Sequence, residues 1–490
     1  MAHRGTELSP RGYSVPKASL GAAELEALRA ELTFRPKATA VSPSPDVCVR
    51  AYGENAAKIY VPKFFGLRRF GPPARDALPA AEPIDFPPFR GTLNAPQQAA
   101  ASAWIRAARD PARMGGIINV PCGFGKTVVA LHLVAAMAVR TLVVVHKEFL
   151  LEQWRARIVE FLGEGVRVGV LKASTVDVRD RDIVIASLQS LSMKEYPPGT
   201  LDGFGLLVVD EVHRTGTEVF SRALARTCIR FSLGLSATVQ RKDGLTALFT
   251  SFLGDVAFRA RRPAGESVRV VMREFFDPDP RYSDEIQASS TRLNLSRMLN
   301  NVCEFAPRTS LICDYIRSAV AAGRKTLVLS DRKAQLRDIH ERLSDVRCGM
   351  YVGGMKKSEL AASEACDVIL ATYSFASEGF DVRALDTLVL ASPKTDIEQS
   401  IGRILRQREA DRVRVPMVFD VVDAFSVFEV QARKRAKFYK RHGYAVEWTR
   451  TDGDVSDAGA ESADGDAPAP GPGPCMFLAD DDDRAQGCDA

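Results

Sequence analysis

Gly116-Ile117-Ile118-Asn119-Val120-Pro121-Cys122-Gly123-Phe124-Gly125-Lys126-Thr127-Val128-Val129-Ala130-Leu131 is the stretch on which the fold turns. Its first five residues form a run of strand length, and its last four open an apolar helix. Between them lies a glycine-rich turn. That order aims backbone N–H groups and the positive end of a helix dipole at one point, which suits an anion. Gly123 and Gly125 let the backbone close around phosphates. Lys126 reaches the β and γ oxygens, and the Thr127 hydroxyl suits Mg²⁺. Pro121, Cys122 and Phe124 complete the loop, with Cys122 read as a small space-filler. Val120 stands where the full pattern has its first glycine.

Working outward, short apolar runs alternate with longer helical patterns. The first series is Gly116–Val120, Thr141–Val145, Asp182–Ala186, Leu206–Val209 and Leu233–Leu235. The second is Thr326–Leu329, Val368–Leu370, Thr387–Leu390 and Val415–Asp420. Runs of this kind separated by helices indicate parallel strands buried on both faces. Arg261 to Pro307 shows no strand of comparable quality and divides the two series. The expected fold is therefore α/β, with two tandem parallel-sheet domains at residues 91–265 and 266–450. Residues 1–90 form a small accessory region closed by a Pro-rich linker at Gly71–Pro88. Residues 451–490, rich in Asp, Ala, Gly and Pro, read as a disordered acidic tail.

The bulk numbers agree with a multi-domain soluble chain. At 490 residues it exceeds the ~250–300 residues at which single cores stop growing. No apolar run approaches the ~18 residues of a membrane span, and Met1-Ala2-His3-Arg4 lacks the apolar core of a secretion signal. Nine cysteines lie scattered without a CxxC pair, as reduced thiols of an intracellular protein would. The net charge of +5 hides a split: residues 451–490 hold ten Asp and one Glu against one Arg, a balance of −10. The other 450 residues carry +15, a body suited to a polyanion.

Leu206-Leu207-Val208-Val209 runs straight into Asp210-Glu211-Val212-His213. Adjacent acids at the end of a buried strand are costly unless they hold a cation; seen alone they could also be solvated. Lying 84 residues after Lys126 in the same alternating domain, they suit a nucleotide site. There Asp210 holds Mg²⁺, Glu211 polarises the attacking water, and His213 couples the site to the next domain.

With these two blocks joined, the chain resembles superfamily 2 helicases, which implies tandem RecA-like domains, ATP and Mg²⁺ as cofactors, and a nucleic-acid partner. Later blocks extend the resemblance in order. Ser236-Ala237-Thr238 resembles the third motif, in which Ser236 and Thr238 link ATP state to strand grip. Thr372 to Asp381 resembles the fifth, implying Gly379 and Asp381 at the nucleotide. Gln399-Ser400-Ile401-Gly402-Arg403-Ile404-Leu405-Arg406 is similar to the sixth, Gln-x-x-Gly-Arg-x-x-Arg, implying Arg403 and Arg406 as arginine fingers beside Gln399. Gln97 matches loosely the glutamine that reads adenine. The blocks span about Leu93 to Arg450.

Arg241-Lys242-Asp243 resembles an element of the xeroderma pigmentosum group B type. Gly12–Lys17, Val61–Gly66, Ser330–Arg332 and Tyr351–Met355 resemble the large-DNA-virus branch that includes the poxvirus transcript-release helicase. That branch implies DNA rather than RNA, 3′-to-5′ polarity, a partner such as RNA polymerase or the repair machinery, and a place in host cytoplasm, nucleus or virion if viral.

Loops at the C-terminal ends of parallel strands form the ligand face of such a sheet. His146 and Lys147, Ser187 and Gln189, and Thr372 are the candidate strand contacts, able to hold phosphates without reading sequence. Phe149 and Trp154 read equally as contacts or as core. Gln431–Arg441 packs six basic residues with two aromatics and either tracks a backbone or is a solvated helix. Three functions stay open: an unwinding helicase, a motor that releases transcripts without unwinding, and a nucleotide-gated binding scaffold.

Overall fold

The computed structural model describes residues 5–35, 48–121, 123–211, 217–237, 246–260, 267–289, 292–376, 382, 384–407, 412–449 and 455–456. Two eight-stranded sheets dominate. The first runs Thr175–Val176, Val168–Lys172, Ile183–Ser187, Thr141–Val145, Leu206–Val209, Phe231–Ser236, Gly115–Asn119, Val256–Arg259, parallel except at its first pair. Its strands Ile183–Ser187, Thr141–Val145 and Leu206–Val209 are near-continuous Val, Ile and Leu because helices or other elements cover both faces. One face receives Trp104, Leu133, Trp154 and Ile158 from the helices Ala95–Arg109, Lys126–Met137 and Glu148–Leu162.

The opposite face is shared with the N-terminal residues. These form a five-stranded sheet in the order Gly53–Glu54, Lys58–Val61, Gly12–Pro16, Glu7–Ser9, Arg75–Asp76. Its Tyr13 and Ile59, with Phe64 of the helix Lys63–Phe70, belong to one core with Leu142, Leu207, Phe220 and Phe249 of the first sheet's domain. The stretch expected to be a linker is likewise seated. Ala77 N–H donates to Leu8 O at 2.7 Å, Glu82 N–H to Gly203 O at 2.8 Å, and Ile84 N–H to Ala138 O at 2.9 Å. Proline there spares N–H groups at a sheet margin rather than freeing the chain.

The second sheet runs Cys348–Tyr351, Val368–Thr372, Thr326–Ser330, Thr387–Leu390, Met417–Asp423, Arg269–Phe275, Ala445–Thr449, Val455–Ser456. It is parallel except at the last pair. Arg269–Phe275 corrects the expectation that residues 261–307 hold no strand of comparable quality. Val270 and Met272 are fully buried, but Arg269, Arg273 and Glu274 interrupt the apolar run. Its charges meet partners from the neighbouring strand: Arg269 Nη2 reaches Glu447 Oε2 at 2.6 Å, and Trp448 Nε1 donates to Glu274 Oε2 at 3.3 Å. Within the segment expected to be disordered, Val455–Ser456 pairs with Trp448–Thr449. The rest of 451–490 lies outside the described residues. Among the described residues, no helix is long and apolar enough to cross a membrane.

Candidate nucleotide and strand site

Parallel strands carry their C-terminal loops along one edge, and strand order fixes the sequence of loops. Reading across the first sheet, the edge presents 187–189, then 146–147, then 210–211, then 236–237, then 121–127. Neighbouring strands lie about 4.8 Å apart. The expected strand contacts therefore stand at one end, the phosphate loop at the other, and the acid pair between.

The helix Lys126–Met137 starts on Gly125, whose φ of +87°, like the +85° of Gly123, is left-handed backbone that favours glycine. A Cβ on Gly125 would fall 2.6 Å from Gln97 Nε2, so a side chain there would displace the Gln97 amide. Gln97 holds this loop through the protein itself. Its Nε2 donates to Phe124 O at 2.8 Å, while its Oε1 accepts from Asn94 N at 3.0 Å and closes a capping box on Ala95–Arg109. The adenine-reading amide expected at Gln97 is thus engaged in supporting the phosphate loop. Pro121 and Phe124 are half-buried beside it; Cys122 lies outside the described residues. The Val120 N–H donates to Ser236 O at 3.0 Å, tying the base of this loop to the Ser-Ala-Thr block.

Lys126 Nζ stands 2.9 Å from Glu211 Oε1. Glu211 has φ +50°, an uncommon conformation for a residue with a Cβ and one that clusters at functional sites. Asp210 is buried, and its Oδ2 accepts the indole N–H of Trp154 at 2.9 Å. Burial, helped by the charge of Glu211, pushes the Asp210 carboxyl up to about 6. A carboxylate held this way favours an added cation. The oxygen donors Thr127 and Asp210, with phosphate oxygens completing the set, fit Mg²⁺, which takes one or two carboxylates and keeps waters. Groups of three or more His, Cys, Asp or Glu that could hold a metal are absent among the described residues.

At the strand-contact end the side chains divide. Lys147 and Gln189 are exposed, and Ser187 is half-buried with its hydroxyl donating to Gln189 Oε1 at 3.0 Å. Gln189 Nε2 donates to His146 O at 2.7 Å and fastens the two loops together. The His146 ring is buried, so the expected contact there falls to its backbone and to Lys147. Thr372 is also buried; its Oγ1 accepts from the Phe375 N–H at 3.4 Å and caps the turn Tyr373–Ala376, which leaves Ser374 exposed. Trp154 is core, and Phe149 packs half-buried against the same cluster. In the helix Ser426–Arg441, Arg435 is buried on Asp420 at 2.8 Å, so five of the six basic residues remain exposed.

The helix Glu398–Ile404 of the second sheet's domain approaches the phosphate loop. A Cβ on Gly123 would lie 3.9 Å from the carbonyl oxygens of both Gly402 and Leu405. Arg403 is buried, and Arg406 and Gln399 are half-buried. His213, Thr238, Gly379, Asp381 and Arg241–Asp243 lie outside the described residues.

Residues 90–241 match the family described as "Type III restriction enzyme, res subunit". Acanthamoeba polyphaga mimivirus has a relative, named "Putative ATP-dependent RNA helicase L396", that is 29% identical over 90% of this chain and 86% of its own. Invertebrate iridescent virus 6 has another, "Putative helicase 161L", 26% identical over 68% of this chain and 77% of its own. Among solved structures, Saccharomyces cerevisiae Dbp5 bound to RNA and ADP–BeF3 superposes with a TM-score of 0.51 at 10% identity, over 73% of this chain and 90% of that one. The fold is thus the tandem RecA-like arrangement. Residues 90–241 resemble a res-subunit-type domain, the chain is similar to superfamily 2 helicases, and it is an ATPase. It is related to the helicases assigned to large DNA viruses.

Proposed function

We propose that the chain is an ATP-driven motor that tracks or unwinds nucleic acid, DNA in preference to RNA, with 3′-to-5′ polarity, in viral-type transcription, replication or repair. One observation carries the reading: Lys126 Nζ and Glu211 Oε1 meet at 2.9 Å beside the buried Asp210, on the loop that the backbone of Gly402 and Leu405 approaches. Arriving phosphates compete with Glu211 for Lys126, which frees the Glu211 carboxylate to polarise water. Gly123, Gly125 and the N-terminus of Lys126–Met137 receive the phosphates. Thr127 and Asp210 would hold Mg²⁺, which would neutralise phosphate charge when bound. Arg403 and Arg406 complete the site from the second domain, so hydrolysis depends on closure. The preference for DNA and the polarity rest on the large-DNA-virus resemblance of the N-terminal and second-domain blocks, and the same branch suggests an RNA polymerase or repair partner.

ATP turnover measured side by side with single-stranded DNA, duplex DNA and RNA tests the reading. Stimulation greatest with DNA, abolished in Lys126→Ala, is expected. Turnover indifferent to every nucleic acid sinks the motor; stimulation by RNA alone sinks the substrate assignment. A strand-displacement assay beside a stalled-polymerase release assay separates unwinding from transcript release.

A further inference from the structure

The helix Glu148–Leu162 begins at Lys147, on the loop assigned to the strand, and two turns later delivers Trp154 to the acid pair. Trp154 is 1% exposed, packed among Leu150, Ile158 and Val143, with its N–H on Asp210 Oδ2 at 2.9 Å. Asp210 is tied to the same segment a second time, because its backbone N–H donates to Val144 O at 3.1 Å, just before His146. The His146 carbonyl in turn accepts from Gln189, whose Oε1 accepts from Ser187. An unbroken line of hydrogen bonds and rigid elements therefore runs from Ser187 and Gln189, through the His146–Lys147 loop and one helix, to Asp210.

We infer that Trp154 is the positioning residue that couples strand occupancy to the cation-holding carboxylate. The inference rests on the proposed motor function and deepens it, since it names how one end of the sheet edge informs the other. Three physical features favour a coupling role over mere packing. Indole is a rigid plane on two torsions, so a shift of the helix moves its N–H as a unit rather than being absorbed by rotamers. The bond is directional and fixes one lone pair of Oδ2; with the Glu211 backbone N–H on the same carboxylate, lone pairs still remain for an incoming cation or its water. The neutral donor holds the carboxylate without supplying the charge that a cation would bring. A lysine or arginine in its place would compete with that cation.

The test measures coupling rather than rate alone. Single-stranded DNA affinity is measured by fluorescence anisotropy without nucleotide, then with a non-hydrolysable ATP analogue and Mg²⁺, for wild type and Trp154→Phe. An isosteric replacement of the indole N–H by sulfur, with benzothienylalanine at the same position, keeps the ring volume if Phe loosens the core. Wild type is expected to change its strand affinity by about 5- to 150-fold with nucleotide. Both variants are expected to bring that ratio close to one while binding DNA without nucleotide within about twofold of wild type. A titration of Mg²⁺ followed by intrinsic tryptophan emission is expected to give a signal in wild type that Trp154→Phe lacks. If the isostere retains the wild-type ratio, the coupling role of the N–H is overturned and the motor function stands. If wild type itself shows no nucleotide-dependent change in strand affinity, both the inference and the motor reading fall.

Discussion

In the first sheet the strand Leu206–Val209 runs into Asp210 and Glu211, and in the second the strand Met417–Asp423 carries Asp420 and Asp423. Asp210, Asp420 and Asp423 are all buried. In the second domain they are saturated. Arg308 donates to Asp423 through Nε at 2.6 Å and Nη2 at 2.9 Å, and Tyr282 adds its hydroxyl at 2.7 Å. Asp420 receives Arg435 twice at 2.8 Å and the Tyr439 hydroxyl at 2.8 Å. In the first domain Asp210 receives a neutral indole N–H and lies beside a second acid, and the nearby cation is Lys126 on a flexible stem. Arginine forks lock a carboxylate by planar, bidentate geometry, whereas an ammonium is a point charge that can be drawn away. The same residue type, buried at or near the C-terminal end of a parallel strand, thus serves as structure in one domain and stands ready for chemistry in the other.

The largest effect is expected at the arginine proposed to reach the phosphate loop from the second domain. Arg406→Ala is expected to lower kcat by about 10³-fold or more, as for a lost arginine finger, while ATP affinity stays within a few fold. Unchanged kcat with weakened ATP binding would move Arg406 out of the transition state. Next in size is the sealed pair. Arg308→Met leaves Asp423 buried without its fork and is expected to cost about 3–5 kcal/mol of stability, whereas Arg308→Met with Asp423→Leu should recover most of it. Equal losses in the single and double variants, measured by denaturant unfolding, would show that packing rather than charge satisfaction governs that strand end. Glu211→Gln should lower nucleic-acid-stimulated turnover by about 10²–10³-fold with ATP still bound. Near-normal turnover would remove Glu211 from water activation.

The contrast also explains what could be read in advance. Uninterrupted runs such as Thr141–Val145 and Leu206–Val209 announce strands buried on both faces, and the glycine-rich turn with its flanking strand and helix announces an anion site. Arg269–Phe275 was hidden because its exposed positions carry charge, and its alternation shows only when its neighbours are known. The N-terminal sheet was hidden for a different reason. Its strands are two to five residues long and find their partner in a face of the first domain, a contact far away in sequence. At the site, residue types were legible while their orientations were not. His146 and Thr372 turn inward, Gln97 is drawn onto the phosphate loop, and Trp154 finds Asp210 across 56 residues. Trp154 had one local signal, an aromatic on the apolar stripe of a helix, and that signal reads as core just as readily.

The smallest expected effect separates the two strand ends by pH. Asp210 in the folded chain is pushed up to about 6, above the 3.8 of an ordinary aspartate. Between those values the folded protein holds a proton that the unfolded chain has released. Stability therefore falls as pH rises through about 4 to 6 and stays lower above it. The groups facing Asp210 are Glu211, which strengthens the effect, and Lys126 and the Trp154 N–H, which oppose it. Asp210→Asn removes both the buried charge and its repulsion with Glu211. In the absence of nucleotide and Mg²⁺ it should stabilise the protein at pH 7.5 by on the order of 1–2 kcal/mol, with the gain shrinking towards pH 4. Mg²⁺ with an ATP analogue should narrow the gap from the other side, because the wild-type carboxylate then has its cation. Thermal unfolding of both proteins across this range would show it. A difference that does not vary with pH would mean that Asp210, like Asp423, is already satisfied by its surroundings.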